Sequence, residues 1–463
     1  MKIIKTEFKG LLIIETDVFG DNRGWFSETY TKSKFADAGI DIDFIQDNQS
    51  FSQAANTLRG LHCQTDPKAQ TKMIRCTRGR IIDTVVDLRK GSDTYKKWLS
   101  IELSEENKRQ FLIPKGFAHA FLTLTDNVEV QYKVDEYYSK ENDRSIAFND
   151  PEFAIDWEYK NPILSDKDRN APFYAESDIQ FSIKVLVTGA SGQLGYDVVR
   201  KLNQLGIKNY GASTKDFNIT NILETEQFIQ NYNPDVVIHC AAYTAVDLAE
   251  TEKNCCHQIN VDGTRNIVNL CKKINAKMLY VSSDYVFDGS GDDPHREDED
   301  TKPINYYGYT KEQGEKVVRE TLDNYYIVRT SWVYGKNGNN FVKTMLKLSE
   351  TKKELNVVSD QIGAPTYTKD LAEFICELIQ TKAYGIYHGV NGGYCSWYEF
   401  SKSIFKHQKL NIEVNPVLSS EYKTTAKRPF NSRLSTHKTD LLNIYNFPNW
   451  EDALVRFLNE LKE

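Results

Sequence analysis

The sequence predicts a multidomain chain of two fold classes. An all-β module comes first, followed by an α/β module with a doubly wound parallel sheet and a small substrate-binding lobe. Three observations predict this. Up to about residue 150, short β-rich runs are broken by turn residues, and after residue 182 strands alternate with helices. The third is Lys184-Val-Leu-Val-Thr-Gly-Ala-Ser-Gly-Gln-Leu-Gly195, a glycine-rich strand-to-helix turn of the kind that opens a dinucleotide-binding domain. It lies near the middle of the chain, so what precedes it is a module of its own. The expected boundaries are 1–175 for the first module, 176–182 for a linker and 183–463 for the second.

In the first module, strands are expected at 11–15, 72–76, 80–87, 98–103 and 128–132, with Asp21-Asn22 and Lys90-Gly91-Ser92 as turns. Short strands at close spacing suggest a sandwich or barrel. The run 81–86 is almost entirely apolar, as in a strand buried on both faces, but Asp83 interrupts it. A carboxylate there is either a paired structural group or part of a site. The Pro- and Asp-containing stretch 150–182 should wrap the β module. In the second module, strands are expected at 183–187, 236–239, 278–282 and 326–330. Helices should start near Gln193 and span 261–273 and 311–321. Beyond residue 334, helices at 367–380 and 396–406 suggest a smaller lobe over the carboxyl edge of the sheet.

The 463 residues carry a net charge of −7 with both signs interspersed, which argues against nucleic acid as the main partner. No apolar run suits a signal peptide or a membrane span. The eight cysteines lack any C-x-x-C spacing, although Cys255 and Cys256 are adjacent, so reduced thiols in a cytoplasmic enzyme are expected.

The chemistry of the second module begins at its glycines. Gly189, Gly192 and Gly195, with Gln193 and Leu194 between them, would let the backbone approach a pyrophosphate at a helix N-terminus. His239-Cys-Ala-Ala-Tyr-Thr244 then ends a strand with the small residues Ala241, Ala242 and Thr244, against which a cofactor could lie. Tyr307 and Lys311 are four apart and share one helix face. A free phenol titrates near pH ~10. The Lys311 ammonium and an oxidised nicotinamide would favour the phenolate and ease proton exchange. Ser283 could donate a hydrogen bond to a carbonyl under attack. Alone, Tyr307 reads as an ordinary amphipathic tyrosine; beside the glycine turn and Ser283 it reads as an acid–base group.

These features, with Ala241-Ala-Tyr-Thr-Ala-Val-Asp-Leu-Ala-Glu250, Ser282-Ser-Asp-Tyr-Val-Phe-Asp-Gly289, Arg329-Thr-Ser-Trp-Val-Tyr-Gly335, Asp360-Gln-Ile-Gly-Ala-Pro-Thr366 and Arg428-Pro-Phe-Asn-Ser432, resemble an extended short-chain dehydrogenase/reductase. The nearest group is the dTDP-4-dehydrorhamnose reductases. The resemblance implies a Rossmann domain in which Ser283, Tyr307 and Lys311 form the reductase triad. It also implies that Tyr307 and Lys311 touch the cofactor while Asp284, Tyr285 and Trp332 contact the sugar. The family more often has threonine at the place of Ser283. Where it often has aspartates after the second strand, this chain has Asp216-Phe-Asn-Ile-Thr-Asn221. Ser213 and Lys215 would tolerate a 2′-phosphate, so NADPH is expected, with NADH as the alternative.

In the first module, Arg59-Gly-Leu-His-Cys-Gln64 places an arginine and a histidine three apart, followed by Lys72, His119, Tyr132 and Tyr138 on later segments. Such residues could line a barrel cavity. Taken singly, His62 reads as a satisfied core histidine and Lys72 as a surface charge. A metal is the rival reading, but no His-x-His pair occurs, so none is expected.

The ordered segments Asp21-Asn-Arg-Gly-Trp-Phe-Ser-Glu28, Gln46-Asp-Asn48, Arg59 to Gln64, Asn107-Lys-Arg-Gln110, Pro114 to Phe121, Asn149-Asp-Pro151 and Leu164-Ser-Asp-Lys-Asp168 resemble the dTDP-4-dehydrorhamnose 3,5-epimerase family from end to end. That resemblance implies a metal-free, cupin-like jelly roll, usually dimeric. It implies His62 as the base, oriented by Asp168, and Tyr132 as the acid on the opposite face. Arg23, Glu28, Gln46, Asn48, Arg59, His119, Asp143 and Lys167 would contact the nucleotide diphosphate and sugar, and Arg23, Phe26 and Glu28 would select the base. Two departures stand out: Cys63 replaces a usual tyrosine, and Asp143 a common glutamate. Lys72, aimed at the oxygen of an enolate, would stabilise its charge.

Together the resemblances imply a bifunctional enzyme acting on a dTDP-linked 4-keto-6-deoxyhexose. Epimerisation at C3 and C5 would precede hydride transfer to C4, in a homodimer held through the first module. The same chemistry on another nucleotide-linked 4-keto-deoxysugar, or a non-catalytic regulatory role for the reductase-like module, are the alternatives.

Overall fold

A computed structural model describes residues 1–157 and 161–462. They form two compact units, Met1–Ser182 and Ile183–Glu463.

The first unit is a two-sheet antiparallel jelly roll of the cupin type. Its six-stranded sheet runs Lys2–Lys5, Leu12–Glu15, Arg109–Ile113, Lys72–Arg78, Val128–Val134, Gln46–Ser52; the five-stranded sheet runs Trp98–Ser104, Arg80–Asp87, Phe117–Thr123, Leu58–Gln64, Asp143–Ser145. Strand side chains alternate between faces. Ile74, Cys76, Ile81, Val85, Phe121 and Val130 therefore meet between the sheets. Their neighbours Met73 and Val86 point outward into two separate apolar layers. One is covered by the helix Lys32–Asp37, which contributes Phe35. The other is covered by the segment that contributes Ile146, Phe153, Ile179 and Phe181. Cys63 lies in that second outer layer, which accounts for the loss of the family's tyrosine without a hole in the cavity wall. Residues 176–182, expected to be a linker, carry buried Ile179 and Phe181, and Phe181–Ser182 pairs in parallel with Arg89–Lys90. The aromatic ring finds apolar contact there, so the stretch is part of the jelly roll.

One irregularity positions the site. Across from the strand Phe117–Thr123, His119 pairs with His62 but Phe121 pairs with Arg59, so the strand Leu58–Gln64 carries an extra residue between them. Strict alternation would put residues 59 and 62 on opposite faces; the bulge restores both to one side. It needs a glycine. Gly60 has φ +127°, and a Cβ there would lie 2.5 Å from the Ala120 Cβ and 2.6 Å from the His119 carbonyl oxygen.

The second unit is a Rossmann-type, doubly wound sheet of parallel strands in the order Asn209–Ala212, Val185–Thr188, Val236–His239, Lys277–Ser283, Tyr325–Thr330, Gly385–His388. Val185, Val187, Val236 and Ile238 face the helices Gln193–Gln204 and Thr368–Leu378. Leu186, Val237 and Met278 face Ile222–Tyr232, Thr264–Lys273 and Tyr306–Thr321 on the other side. A smaller lobe has its own core of Tyr334, Val342, Phe400, Trp450 and Phe457. The expected helix 311–321 begins earlier, at Tyr306, because the Asn305 side chain accepts from the Gly308 amide and caps it. No helix among the described residues is long and apolar enough to cross a membrane.

A Gly60→Ala substitution should destabilise the first unit by about 2 kcal/mol or more, since the added methyl collides with backbone and forces a strained dihedral. The shift of its urea midpoint measures this.

Candidate active sites

A cavity of 490 Å³ opens between the two sheets of the first unit. The five-stranded sheet contributes Arg59, His62 and His119 to its lining, and the opposing sheet contributes Lys72 and Tyr132. The short helix Asp166–Arg169 closes one side with Lys167 and Asp168. Ser165 caps that helix by accepting from the Asp168 amide, and its hydroxyl donates to the same residue's carboxylate at 2.9 Å. The carboxylate thus held sits 2.5 Å from His62 Nε2. Burial opposes ionisation of Asp168, but the hydrogen bonds of His62 and Ser165 and the charge of Lys167 outweigh it and hold its pKa below the ordinary value. An ionised Asp168 fixes the His62 tautomer with the proton on Nε2, leaving Nδ1 as the basic nitrogen.

Tyr132, on the opposite sheet, has its phenol pKa raised by burial, partly offset by the charge of Arg59, and so stays protonated. Lys72 has its ammonium pKa lowered by burial. The cavity therefore sets an oriented imidazole against a protonated phenol, with a buried amine between them in chemistry: one group to take a proton, one to give it, and one to steady an oxyanion.

Not every expected residue comes to this cavity. Asp143 accepts from Lys167 at 2.6 Å and from the Tyr138 hydroxyl at 3.3 Å, so Asp143 stands one contact behind a lining residue and Tyr138 two. Gln46 and Asn48 bond each other at 2.8 Å on an edge strand. Arg23 is bonded to Asp21, Glu28 is paired with Lys34, and Phe26 is 67% exposed on the hairpin Phe19–Asp21 and Gly24–Phe26. None of the last five residues lines the cavity.

The second unit holds a pocket of 770 Å³ at the carboxyl edge of its sheet, where the chain winds in opposite directions on either side of Val185–Thr188. The residues expected at the glycine turn, the catalytic triad and the sugar contacts line it: Gly189, Gly192, Gln193, Leu194 and Gly195 at one end, and Ala241, Ala242 and Thr244 after the neighbouring strand. Ser283, Asp284, Tyr285, Tyr307, Lys311 and Trp332 complete it. The glycines are sterically required. A Cβ on Gly189 would lie 2.6 Å from the Ala241 amide, and one on Gly195 would lie 2.3 Å from the Gly189 carbonyl. Gly192 starts the helix Gln193–Gln204 without a side-chain cap, so the first-turn amides are open to an anion. That arrangement fits a dinucleotide pyrophosphate.

The Ser283 hydroxyl donates to Asp284 at 2.8 Å and also hydrogen-bonds the Tyr307 phenol. Lys311 donates to the Val281 carbonyl at 2.7 Å and lies over the Tyr280 ring at 4.1 Å. The expected lowering of the phenol by Lys311 is not what the structure gives. Burial, reinforced by the charge of Asp284, pushes the Tyr307 pKa well above that of a free phenol, with only the Ser283 bond acting the other way. Lys311 does not oppose this because its ammonium is directed to a carbonyl. A protonated phenol is the form that can give a proton to a ketone oxygen. Burial also brings Asp284 up to about 6 and Lys311 down to about 7.

Trp332 is held with φ +49°, a conformation rare for a bulky residue, by face-to-face stacking on Trp397 at 3.5 Å. Gly363 makes room for it, since a Cβ there would meet the indole at 2.6 Å. Ser213 lines the pocket, whereas Lys215 does not. Asp216 accepts from the Ser213 amide and hydroxyl and from Tyr210, so its carboxylate is already engaged. Sequence reasoning missed Gly338 and Asn339, which border the pocket, and Asn337, which donates to the Ser191 carbonyl at 2.6 Å. The Gly- and Asn-rich run 335–340 was their signal. No cluster of three or more metal-ligating side chains occurs among the described residues.

Comparison with known proteins divides the chain in the same place. The dTDP-4-dehydrorhamnose 3,5-epimerase family matches residues 5–176, and the family described as RmlD substrate binding domain matches residues 183–463. A dTDP-4-dehydrorhamnose 3,5-epimerase of Shigella flexneri is 46% identical over 179 residues, covering 38% of this chain and 98% of that protein. The spore coat polysaccharide biosynthesis protein SpsK of Bacillus subtilis is 43% identical over 277 residues, covering 60% of this chain and 97% of its own length. A crystal structure of dTDP-4-dehydrorhamnose reductase from Bacillus anthracis in complex with NADP is 44% identical with a TM-score of 0.59, covering 60% of this chain and 99% of that one.

The buried lysine has a thermodynamic signature. The unfolded chain keeps the Lys311 ammonium protonated up to about its ordinary 10.5, whereas the folded chain releases that proton at about 7. Between those values folding expels a proton, so stability rises with pH. Relative to Lys311→Met, the chain should gain about 1.4 kcal/mol per pH unit above pH 7. Urea unfolding of both proteins at pH 7, 8 and 9 measures the difference, and a flat one would contradict a buried amine that gives up its proton on folding.

Proposed function

The chain belongs to the dTDP-4-dehydrorhamnose 3,5-epimerase family over residues 5–176 and to the RmlD substrate binding domain family over residues 183–463, and from that premise we propose that one polypeptide carries out two consecutive steps toward dTDP-L-rhamnose. The observation that carries this reading is that each unit has a complete acid–base set in its own cavity.

In the first unit, C3 and C5 of dTDP-4-dehydro-6-deoxy-D-glucose both flank the C4 ketone, so a proton lost from either leaves an enolate. His62 takes that proton through Nδ1 while Asp168 stabilises the imidazolium that forms. Lys72 steadies the oxygen, and Tyr132 returns a proton from the opposite sheet, which inverts the centre. Arg59, His119, Lys167, Asp143 and Tyr138 are assigned to the nucleotide diphosphate and sugar. Arg23, Phe26, Glu28, Gln46 and Asn48 are assigned to the same substrate from a second copy of the chain. Their position outside the cavity of their own unit, and the exposure of Phe19, Trp25 and Phe26 on the hairpin, support a homodimer through this unit.

In the second unit, a bound nicotinamide dinucleotide supplies the hydride that reduces C4. The glycine turn and the uncapped helix start would hold its pyrophosphate, and Ala241, Ala242 and Thr244 its path along the sheet. The assignment is NADPH: the Bacillus anthracis relative was solved with NADP, and the Asp216 carboxylate beside Ser213 is engaged by protein donors. Tyr307 donates the proton to the C4 oxygen, Ser283 orients phenol and ketone, and Lys311 holds the cofactor's ribose. Asp284, Tyr285 and Trp332 position the sugar. A cytoplasmic setting belongs to this reading and is supported by the eight free cysteines.

Incubation with dTDP-4-dehydro-6-deoxy-D-glucose and NADPH in deuterated water tests both steps, with product identified by NMR. His62→Asn should lower deuterium uptake at C5 by about 10²-fold or more, yet leave reduction of a pre-epimerised ketone intact. Tyr307→Phe should do the reverse. Loss of both activities in either variant would contradict two separate sites.

A further inference from the structure

Asp83, which the chemistry above does not use, is buried against His119, to which that chemistry gives only a share in holding the substrate. The strands Arg80–Asp87, Phe117–Thr123 and Leu58–Gln64 lie side by side, with Phe121 opposite Asp83 and His119 opposite His62. Asp83, His119 and His62 therefore form a diagonal row on the inward face. His119 Nε2 lies 2.9 Å from Asp83 Oδ2, which repeats the His62–Asp168 arrangement with the same ring nitrogen.

The two pairs differ in how their carboxylates are satisfied. Asp168 accepts from the Ser165 hydroxyl as well as from His62 and lies near the charge of Lys167. Asp83 is fully buried, His119 is its hydrogen-bond partner, and its other oxygen, Oδ1, has none. A carboxylate so enclosed is costly unless a cation or a proton accompanies it. The first pair can release its proton and serve as a base; the second has reason to keep one.

We propose that Asp83 is a positioning residue that keeps His119 as an imidazolium, and that this cation, beside Lys72, lends a proton to the C4 ketone oxygen while His62 removes one from the adjacent carbon. The inference rests on the epimerase reading of this cavity. The C–H electron pair moves into a carbon–carbon double bond, the carbonyl π pair moves to oxygen, and oxygen takes the His119 proton to give an enol. As the ketone reforms, the O–H proton returns to His119 and carbon takes its new proton from Tyr132. His62 and Tyr132 then reset by exchange with solvent, so His119 ends each cycle unchanged.

The groups that can act on His119 are Asp83 on its neighbouring strand, Arg59 and His62 on the other, Lys72 and Tyr132 on the opposing sheet, and Lys167 and Asp168 on the short helix. Burial raises the Asp83 pKa, and the charge and hydrogen bond of His119 and the charge of Lys72 act against it.

The test uses the full chain with ¹⁵N-labelled histidine, with the His119 signals assigned by their loss in His119→Gln. Wild-type His119 should show the imidazolium pattern at pH 7.5. Asp83→Asn keeps the size of the side chain but removes its charge. It should lower kcat for deuterium uptake about 100-fold with KM within about twofold, and move the alkaline limb of the rate profile to lower pH. Asp83→Glu should restore part of the rate. A neutral His119 in the wild type at pH 7.5 would overturn the proposal, and that measurement decides alone should Asp83→Asn fail to fold. A folded Asp83→Asn, with ketone reduction by the second unit intact, that keeps the wild-type rate and alkaline limb would overturn it equally. Absence of deuterium uptake by the wild type would instead bring down the epimerase reading beneath it.

Discussion

An imidazole lining a cavity is useful as a base only if something fixes which of its nitrogens is free. The contact of His62 with Asp168 does this, and it depends in turn on Ser165, which caps the helix and donates to the carboxylate. Remove that anchor and Asp168 loses its orientation, His62 its tautomer, and the face opposite Tyr132 its proton acceptor. The second unit obeys the same constraint with other groups: Lys311 is aimed at the Val281 carbonyl and Ser283 at Asp284 and the Tyr307 phenol. In both places a reacting side chain is given a fixed partner, and that partner sets its direction.

The two units reach this state by different architectural routes. The jelly roll brings its groups together from opposing sheets, so its cavity depends on strand register, and the bulge at Gly60 is what lets Arg59 and His62 share it. The parallel sheet gathers its groups at the ends of successive strands, where residues after Thr188, His239, Ser283 and Thr330 converge without any irregularity within the strands. Substitutions within the first site are therefore sensitive to backbone register, whereas those in the second act chiefly through loop and helix-start geometry.

The same contrast explains what the sequence made legible. The reductase-like site could be read almost residue by residue because its signals are local: three glycines in one turn, small residues closing one strand, Tyr307 and Lys311 on one helix face. In the jelly roll, His62, Lys72 and Tyr132 were recognisable as a set, but the shared face of Arg59 and His62 was not, because spacing alone cannot reveal a bulge. The strand Gln46–Ser52 escaped notice because its sequence is polar and six of its seven residues stay at least partly exposed on a sheet edge. The Tyr307 shift was misjudged for a related reason. A nearby lysine is visible in sequence, whereas complete burial and the diversion of Lys311 to a carbonyl belong to tertiary packing.

The stacked pair of Trp332 and Trp397 has an optical consequence. Both indoles pack against the core of the small lobe, Trp332 also borders the reductase-like pocket, and at 3.5 Å their excited states are coupled. An occupant that presses on Trp332 alters that coupling before any bond is made or broken. The chain thus carries an intrinsic emission reporter for the filling of that pocket.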